Sequence, residues 1–380
     1  MFKRLLNIPH ELDQSAFIFG PRGTGKTRWL KQNYPDSLFF DLLNVTTYKQ
    51  FLADPTRLSS YIPDDYSGWV IIDEIQKAPE LLNEVHRLIE HRELKFIMTG
   101  SCARSLRRKG VNLLAGRALI YHMHPLTASE IGSEFSIKRS LKIGCLPQAI
   151  TSNCPTEYLS SYIKTYLREE VLQESLTRNI ALFTHFLETA SFSQGETINY
   201  TEISREVGST RTTINNFFNI LEDLLIAYRL PVFKKRAKRN MISNPKFYYF
   251  DTGVYRSIRP AGPLDSKEEA DGPALETLFL QQIMAINDYS KLGYSFYYWR
   301  TQKKTEVDFI AYGNNGIYAF EIKRKKVLKS SDFKGLKLFQ KDYPEAKCFM
   351  IYGGEETYSD NSINIIPVEL FLSNIHDYFF

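Results

Sequence analysis

Four cysteines in 380 residues are too few for a disulfide framework. Cys102, Cys145, Cys154 and Cys348 stand far apart with no CxxC spacing, which argues against a structural zinc site and for free thiols in a reducing compartment. No apolar run reaches the roughly 20 residues that a membrane span needs, so no membrane partner is expected. The opening stretch MFKRLLNIPHELDQ has a short basic piece without the apolar centre of a secretory leader. A cytoplasmic location is the expectation. There is no low-complexity tract, and charges of both signs are mixed, so disorder does not dominate. The net charge of +5 is only mildly basic and selects no partner by itself. What is present is an apolar content of 43%, enough for several cores. At about 150 residues per domain the length suggests two or three domains.

The first chemistry-bearing stretch is AFIFGPRGTGKTRWLKQNY, Ala16 to Tyr34. An apolar strand leads into Gly20, Pro21, Arg22, Gly23, Thr24, Gly25, Lys26 and Thr27, which fit G-x-x-x-x-G-K-[ST], and a helix follows. Glycines let successive backbone N–H groups wrap phosphates, and the helix N-terminus adds positive potential. Lys26 is expected to reach the β- and γ-phosphates of ATP, and Thr27 to offer its hydroxyl to Mg²⁺. GWVIIDEIQKAP supplies a buried strand ending at Asp73, a second Mg²⁺ partner, with Glu74 placed as general base. ELKFIMTGS ends a further strand at Thr99 and Ser101, read equally as γ-phosphate sensors or as an ordinary strand exit. SLFFDL adds a strand between the two nucleotide motifs, as in the additional-strand P-loop ATPases. Arg117 and Arg104 compete for the role of arginine finger, in cis or in trans. His122 and His124 alternate on one strand without a third ligand nearby, which favours packing over a metal site.

From Pro125 to about Glu188 the pattern is largely helical, a lid or connector broken at IGCLPQAI. A helix-turn-helix then follows. Thr201 is expected to cap a helix over Glu202 to Val207, Gly208 and Ser209 to turn, and Thr210 to Leu225 to form the second helix. Arg211, Thr212, Asn215 and Asn216 lie off its apolar stripe and are placed to meet DNA. A two-stranded wing with the basic tip KKRAKR, Lys234 to Arg239, is expected after it. Contacts there would be mainly to phosphates, and salt-sensitive; a structural lid is the competing reading.

The last third holds EVDFIAYGNNGIYAFEIKRKK, residues 306 to 326, two strands around a Gly-Asn-Asn-Gly turn. Antiparallel pairing sets Tyr312 opposite Ile317, Asp308 opposite Glu321, and Glu306 opposite Lys323. Val307, Phe309 and Ala311 with Tyr318, Phe320 and Ile322 would share the apolar face. Facing carboxylates destabilise a strand pair, so a compensating cation is expected. Asp308, Glu321 and Lys323 fit the D…E-x-K pattern of a nuclease core. In it the acids share Mg²⁺, which lowers the pKa of a bound water, and Lys323 orients that water. Glu276, on a helix expected over Asp271 to Asn287, is a further candidate metal ligand.

The ordered set GPRGTGKT, WVIIDEIQKAP, FIMTGS, LAGR, HPLTASEI, LPQAI, YYFDTG, EVDFI and EIK resembles a large prokaryotic family that joins an AAA+-like ATPase domain to a C-terminal domain of unknown function, DUF4143. The resemblance covers nearly the whole chain. Cys102 departs from it locally, where a small hydroxyl residue is expected. The resemblance implies ATP binding and hydrolysis, and a winged helix followed by a restriction-endonuclease-like fold. The expected class is α/β. An AAA+-like P-loop NTPase domain covers 1–130, a helical connector 131–195, a winged helix 196–262, and a PD-(D/E)xK nuclease-like α/β domain 263–380. The expected function is a Mg²⁺-dependent ATPase that couples nucleotide state to binding of DNA or another nucleic acid, with metal-dependent cleavage in prospect. The alternative is an ATP-dependent switch that recruits a protein partner, or a further copy of itself, with an inert nuclease-like fold.

Overall fold

A strand followed by a glycine loop and a helix is the first thing the chain builds. In the computed structural model β1, Ser15–Phe19, is buried along its whole length, and the helix Lys26–Asn33 starts at Gly25. The structure describes residues 2–101, 114, 116–167, 179–237, 239, 241, 243–260, 262 and 267–379. Cys102, Arg104 and Lys238 lie outside these residues.

The chain forms two units, one of residues 3–124 with 223–226 and one of residues 125–222 with 227–380. In the first, β2 (Leu38–Asp41), β3 (Trp69–Asp73), β4 (Lys95–Gly100) and β5 (Ala118–His122) join β1 in a sheet ordered β2-β3-β4-β1-β5. Every neighbouring pair is parallel. Strands of such a sheet are covered on both faces, which is why SAFIF and WVIID read as unbroken apolar runs. Phe17, Phe19, Val70, Ile72, Phe96 and Met98 pack with Leu81, Val85 and Leu88 of the helix Leu81–Arg92. Because β4 lies between β1 and β3, the glycine loop and Asp73 face one another across a strand.

In the second unit the helix Tyr200–Val207 is capped by Asn199, whose side chain accepts from the Glu202 N–H. The expected cap, Thr201, is already inside the helix. The chain turns at Gly208, φ 70°, where the left-handed backbone favours glycine. The helix Arg211–Asp223 follows, and ends two residues short of the expected Leu225. Ile214, Phe217, Phe218 and Leu221 are buried, while Arg211, Thr212, Asn215 and Asn216 face solvent. β6 (Ala227–Leu230) and β7 (Lys246–Tyr249) then pair antiparallel.

This unit also holds short helices between Ala128 and Ser191 and a six-stranded sheet. The sheet contains β8 (Ser295–Arg300), β9 (Glu306–Gly313), β10 (Gly316–Lys323), β11 (Lys347–Tyr352), β12 (Tyr358–Asp360) and β13 (Ile363–Pro367), in the order β12-β13-β11-β10-β9-β8. The helix Lys267–Tyr289 covers one face through Leu275, Phe279 and Ile283, packed on Phe309, Phe320 and Ile351. The helix Lys334–Asp342 covers the other through Leu336 and Phe339, packed on Ile310, Ala319 and Met350. β9 and β10 pair in the expected register from Gly313↔Gly316 to Phe309↔Phe320.

One detail of the expected face pattern is corrected. Val307 packs with Trp299 and Leu336, away from Phe309 and Ala311. The β8–β9 register shifts between Tyr297↔Ile310 and Trp299↔Val307, so Asp308 and Phe309 together oppose Tyr298. Such a bulge bends the strand and re-aims a side chain. Here it falls on Asp308.

Candidate functional site

The nucleotide-type site is built at the C-terminal ends of the first sheet's strands. Gly23 and Gly25 hold φ of 82° and 94°, conformations that the loop needs and side chains resist. Lys26 is buried, and its Nζ donates to the carbonyls of Gly20 at 2.7 Å and Pro21 at 3.2 Å. Thr24 is buried, and its hydroxyl donates to the Pro21 carbonyl at 2.8 Å. Arg22 is exposed on the loop.

Thr27 Oγ1 donates to Asp73 Oδ2 at 2.6 Å, which joins the loop to the end of β3. Asp73 is fully buried, and burial pushes its carboxyl upward against the two hydroxyls that bond it. The second hydroxyl is Thr99, which donates to Asp73 Oδ1 and accepts the Glu74 N–H at 3.1 Å. Glu74 has φ 63°, a left-handed conformation costly for a side-chain-bearing residue. Thr99 therefore holds the backbone of the expected general base. Gln76 was not singled out in the sequence; its amide donates to Glu74 Oε2 and to Ser101 Oγ, the latter at 3.1 Å. An amide two residues beyond an acid pair carries no signal that only a spatial contact could give it.

Arg117 is placed elsewhere. It precedes β5, its carbonyl accepts the Ser15 N–H at 3.1 Å, and its guanidinium pairs with Glu90. Ser15 begins β1, while the glycine loop follows the other end of β1. The strand's five residues, at about 3.3 Å each, put roughly 16 Å between the two ends. A cis finger is therefore out of reach. The rings of His122 and His124 lie 6.4 Å apart as a tilted pair.

The acidic cluster of the second unit holds Glu276, Asp308, Glu321 and Lys323, the residues singled out in the sequence, together with Glu306 and Lys246, which were not. Asp308 Oδ2 accepts the Ile322 N–H at 2.9 Å, and Lys323 Nζ donates to Glu321 Oε1 at 2.6 Å. Glu321 Oε2 is buried with no hydrogen-bond partner. Burial, then Asp308, pushes the Glu321 carboxyl well above the ordinary range. Burial likewise lifts Glu276 to about 7.

Lys246 is 2% exposed. Its Nζ contacts Glu306 Oε1 and stands 3.7 Å from both Glu276 Oε2 and Asp308 Oδ1. Burial opposes its charge, but Tyr248 and the three acids outweigh burial and hold its pKa well above a lysine's usual value. Tyr248, two residues along on the same face, donates to Glu276 Oε2 at 2.7 Å. The β9–β10 ladder stops at Phe309↔Phe320, short of the expected Asp308–Glu321 and Glu306–Lys323 pairs; Lys246 stands beside Glu276, Glu306 and Asp308, and Lys323 beside Glu321. Among the described residues no group of three or more His, Cys, Asp or Glu is arranged to hold a metal ion.

Among the described residues no helix is long and apolar enough to cross a membrane. The basic tip is partly engaged: Arg239 makes a bidentate pair with Asp342 at 2.6 and 2.9 Å, and Lys235 lies 4.0 Å from the Tyr312 ring centroid. Lys234 and Arg236 are exposed.

Residues 13–132 match an AAA domain, 134–265 a domain of unknown function (DUF8612), and 271–371 the domain of unknown function DUF4143. The chain thus carries an AAA, ATPase-like domain at its N-terminal end and a DUF4143 domain at its C-terminal end. It is 26% identical to uncharacterized proteins of Mycobacterium tuberculosis and Mycobacterium bovis over 94% of this chain and 81% of each relative. An uncharacterized Haemophilus influenzae protein is 22% identical over 64% of this chain and 62% of its own length. Among solved structures, the ORC1 protein of Aeropyrum pernix in complex with DNA is 12% identical over 71% of this chain and 88% of its own, with a TM-score of 0.25. A Vibrio cholerae protein is 13% identical over 96% of each chain, with a TM-score of 0.24.

Proposed function

We propose that the chain is a Mg²⁺-dependent ATP hydrolase whose nucleotide state governs binding to nucleic acid, DNA in the first instance. One observation carries the ATPase reading: Thr27, in the first turn of the helix after the glycine loop, and Asp73, at the end of β3, share a hydrogen bond of 2.6 Å. A hydroxyl and a carboxylate so paired suit an octahedral, oxygen-ligated Mg²⁺ with bound waters. Bound with ATP, Mg²⁺ neutralises charge on the phosphates during transfer. The backbone of Gly20 to Thr27 cradles the phosphates, and Lys26 turns its ammonium from its own loop carbonyls to them. Glu74 accepts a proton from the attacking water. Thr99 keeps Asp73 and Glu74 in place.

Phosphate release and nucleotide binding test this reading. Lys26→Ala is expected to lose ATP binding, and Glu74→Gln to keep binding and lose turnover. Unchanged ATP affinity in the first, or full turnover in the second, removes the assigned role.

The nucleic-acid part is supported by the solvent-facing Arg211, Thr212, Asn215 and Asn216 on one helix face, with Lys234 and Arg236 exposed beyond β6. Phosphate contacts give binding that falls steeply with salt. A DNA titration at two salt concentrations, with and without ATP, is the check. An ATP-dependent switch that recruits a protein partner is the second reading. It is favoured by the ammonium of Lys246 inside the acidic cluster, and salt-independent or absent DNA binding would select it.

A further inference from the structure

We propose that Lys246 is the resident cation of the acidic cluster, so that Glu276, Glu306 and Asp308 bind no divalent metal and activate no metal-bound water. Lys246 and its neighbours surround the oxygens that a metal would need. Lys246 Nζ contacts Glu306 and lies 3.7 Å from Asp308 Oδ1 and from Glu276 Oε2. Tyr248 donates to that same Glu276 oxygen, and Arg300 Nε lies 3.3 Å from Glu306 Oε2. The Ile322 N–H holds Asp308 Oδ2. A dication ligated at about 2.1 Å by the Asp308 and Glu276 oxygens would stand beside a buried ammonium, where the interior screens like charges poorly. Glu321 Oε2 is a single partnerless acceptor, and one oxygen is not a Mg²⁺ site.

The lysine cannot easily withdraw. Its backbone is fixed by β7 pairing with Leu230 and bridging to Thr197, and its ammonium lies 5.8 Å from the Tyr298 ring centroid. The position of the cation is therefore set by strands remote in sequence from the acids it serves.

The test is a calorimetric titration of the nucleotide-free full chain with MnCl₂, for wild type, Asp308→Asn and Lys246→Met. Wild type and Asp308→Asn are expected to titrate alike, since Mn²⁺ bound at the nucleotide site is common to both. Lys246→Met is expected to gain one bound Mn²⁺ per chain, at least tenfold tighter than any in wild type, and to lose it when Asp308→Asn is added. A tenfold loss of Mn²⁺ affinity in Asp308→Asn alone overturns the proposal. So does Mn²⁺-dependent nicking of supercoiled plasmid by wild type that Asp308→Asn abolishes. A folded Lys246→Met that gains no Mn²⁺ overturns it as well. If Lys246→Met does not fold, the comparison of wild type with Asp308→Asn decides.

Discussion

Replacing Thr99 by valine removes one hydroxyl from a fully buried position and keeps the side chain's shape. That hydroxyl donates to Asp73 Oδ1 and accepts the Glu74 N–H. Losing a hydrogen bond to a buried carboxylate costs about 1.5–3 kcal/mol, and an orphaned N–H about 1–3 kcal/mol. Glu74, held at φ 63°, stores a further strain of order 1–3 kcal/mol that this bond opposes. The largest consequence is expected at the orientation of Glu74, with the phosphate cradle of Gly20 to Thr27 left intact. Turnover should fall about 100-fold, equivalent to about 2.7 kcal/mol of barrier. ATP affinity should stay within about threefold. Thr99→Ser, which restores the hydroxyl, should recover most of the rate. Steady-state phosphate release with Mg²⁺ and ATP, beside equilibrium binding of a fluorescent nucleotide, separates the two quantities. A Thr99→Val protein that turns over within about twofold of wild type would refute the positioning argument. A matching loss of affinity would instead make Thr99 part of the phosphate cradle.

Other outcomes follow from the same geometry. Arg117→Ala should leave turnover per chain within about twofold at low protein concentration, since Arg117 is paired with Glu90 at the far edge of the sheet; a loss beyond tenfold would mean that a neighbouring chain presents it. A Cβ on Gly335 would stand 2.0 Å from the Glu306 carbonyl oxygen, so Gly335→Ala should destabilise the second unit by about 1–3 kcal/mol in urea unfolding. No change in midpoint would show that the helix Lys334–Asp342 has room to move. Asp251 is fully buried, and burial lifts its carboxyl from 3.8 to about 6, although three backbone N–H groups bond it. Its folded pKa exceeds its unfolded one, so the folded state binds the extra proton between these values. Stability should therefore fall as pH rises from about 4 to 6, by at most about 3 kcal/mol. Urea midpoints across that range should flatten in Asp251→Asn, and an unchanged slope would assign the effect elsewhere.

The strand, glycine loop and helix were legible because their parts are local. A strand, a glycine loop and a helix occupy one stretch from Ser15 to Asn33, and Asp73 ends an apolar run that can only be a buried strand. The hairpin register was legible for the same reason, since alternation and a turn fix it over residues 309–320. What failed to appear in the sequence depends on contacts between distant segments. The bulge at Asp308 arises from the mismatch of β9 with β8, and neither strand alone encodes it. That Arg117 lies beyond cis reach of the glycine loop was not visible either, because its distance from the loop is set by the length of β1 and not by sequence order. Lys246 is the sharpest case. It lies 60 residues before Glu306, near a run of basic residues where a solvated charge is the ordinary reading. Only the fold turns it inward, because β7 pairs with β6 and places Lys246 and Tyr248 on one face over Glu276. Paired facing carboxylates predict that a cation must be present; which cation it is depends on the strand the fold delivers to them.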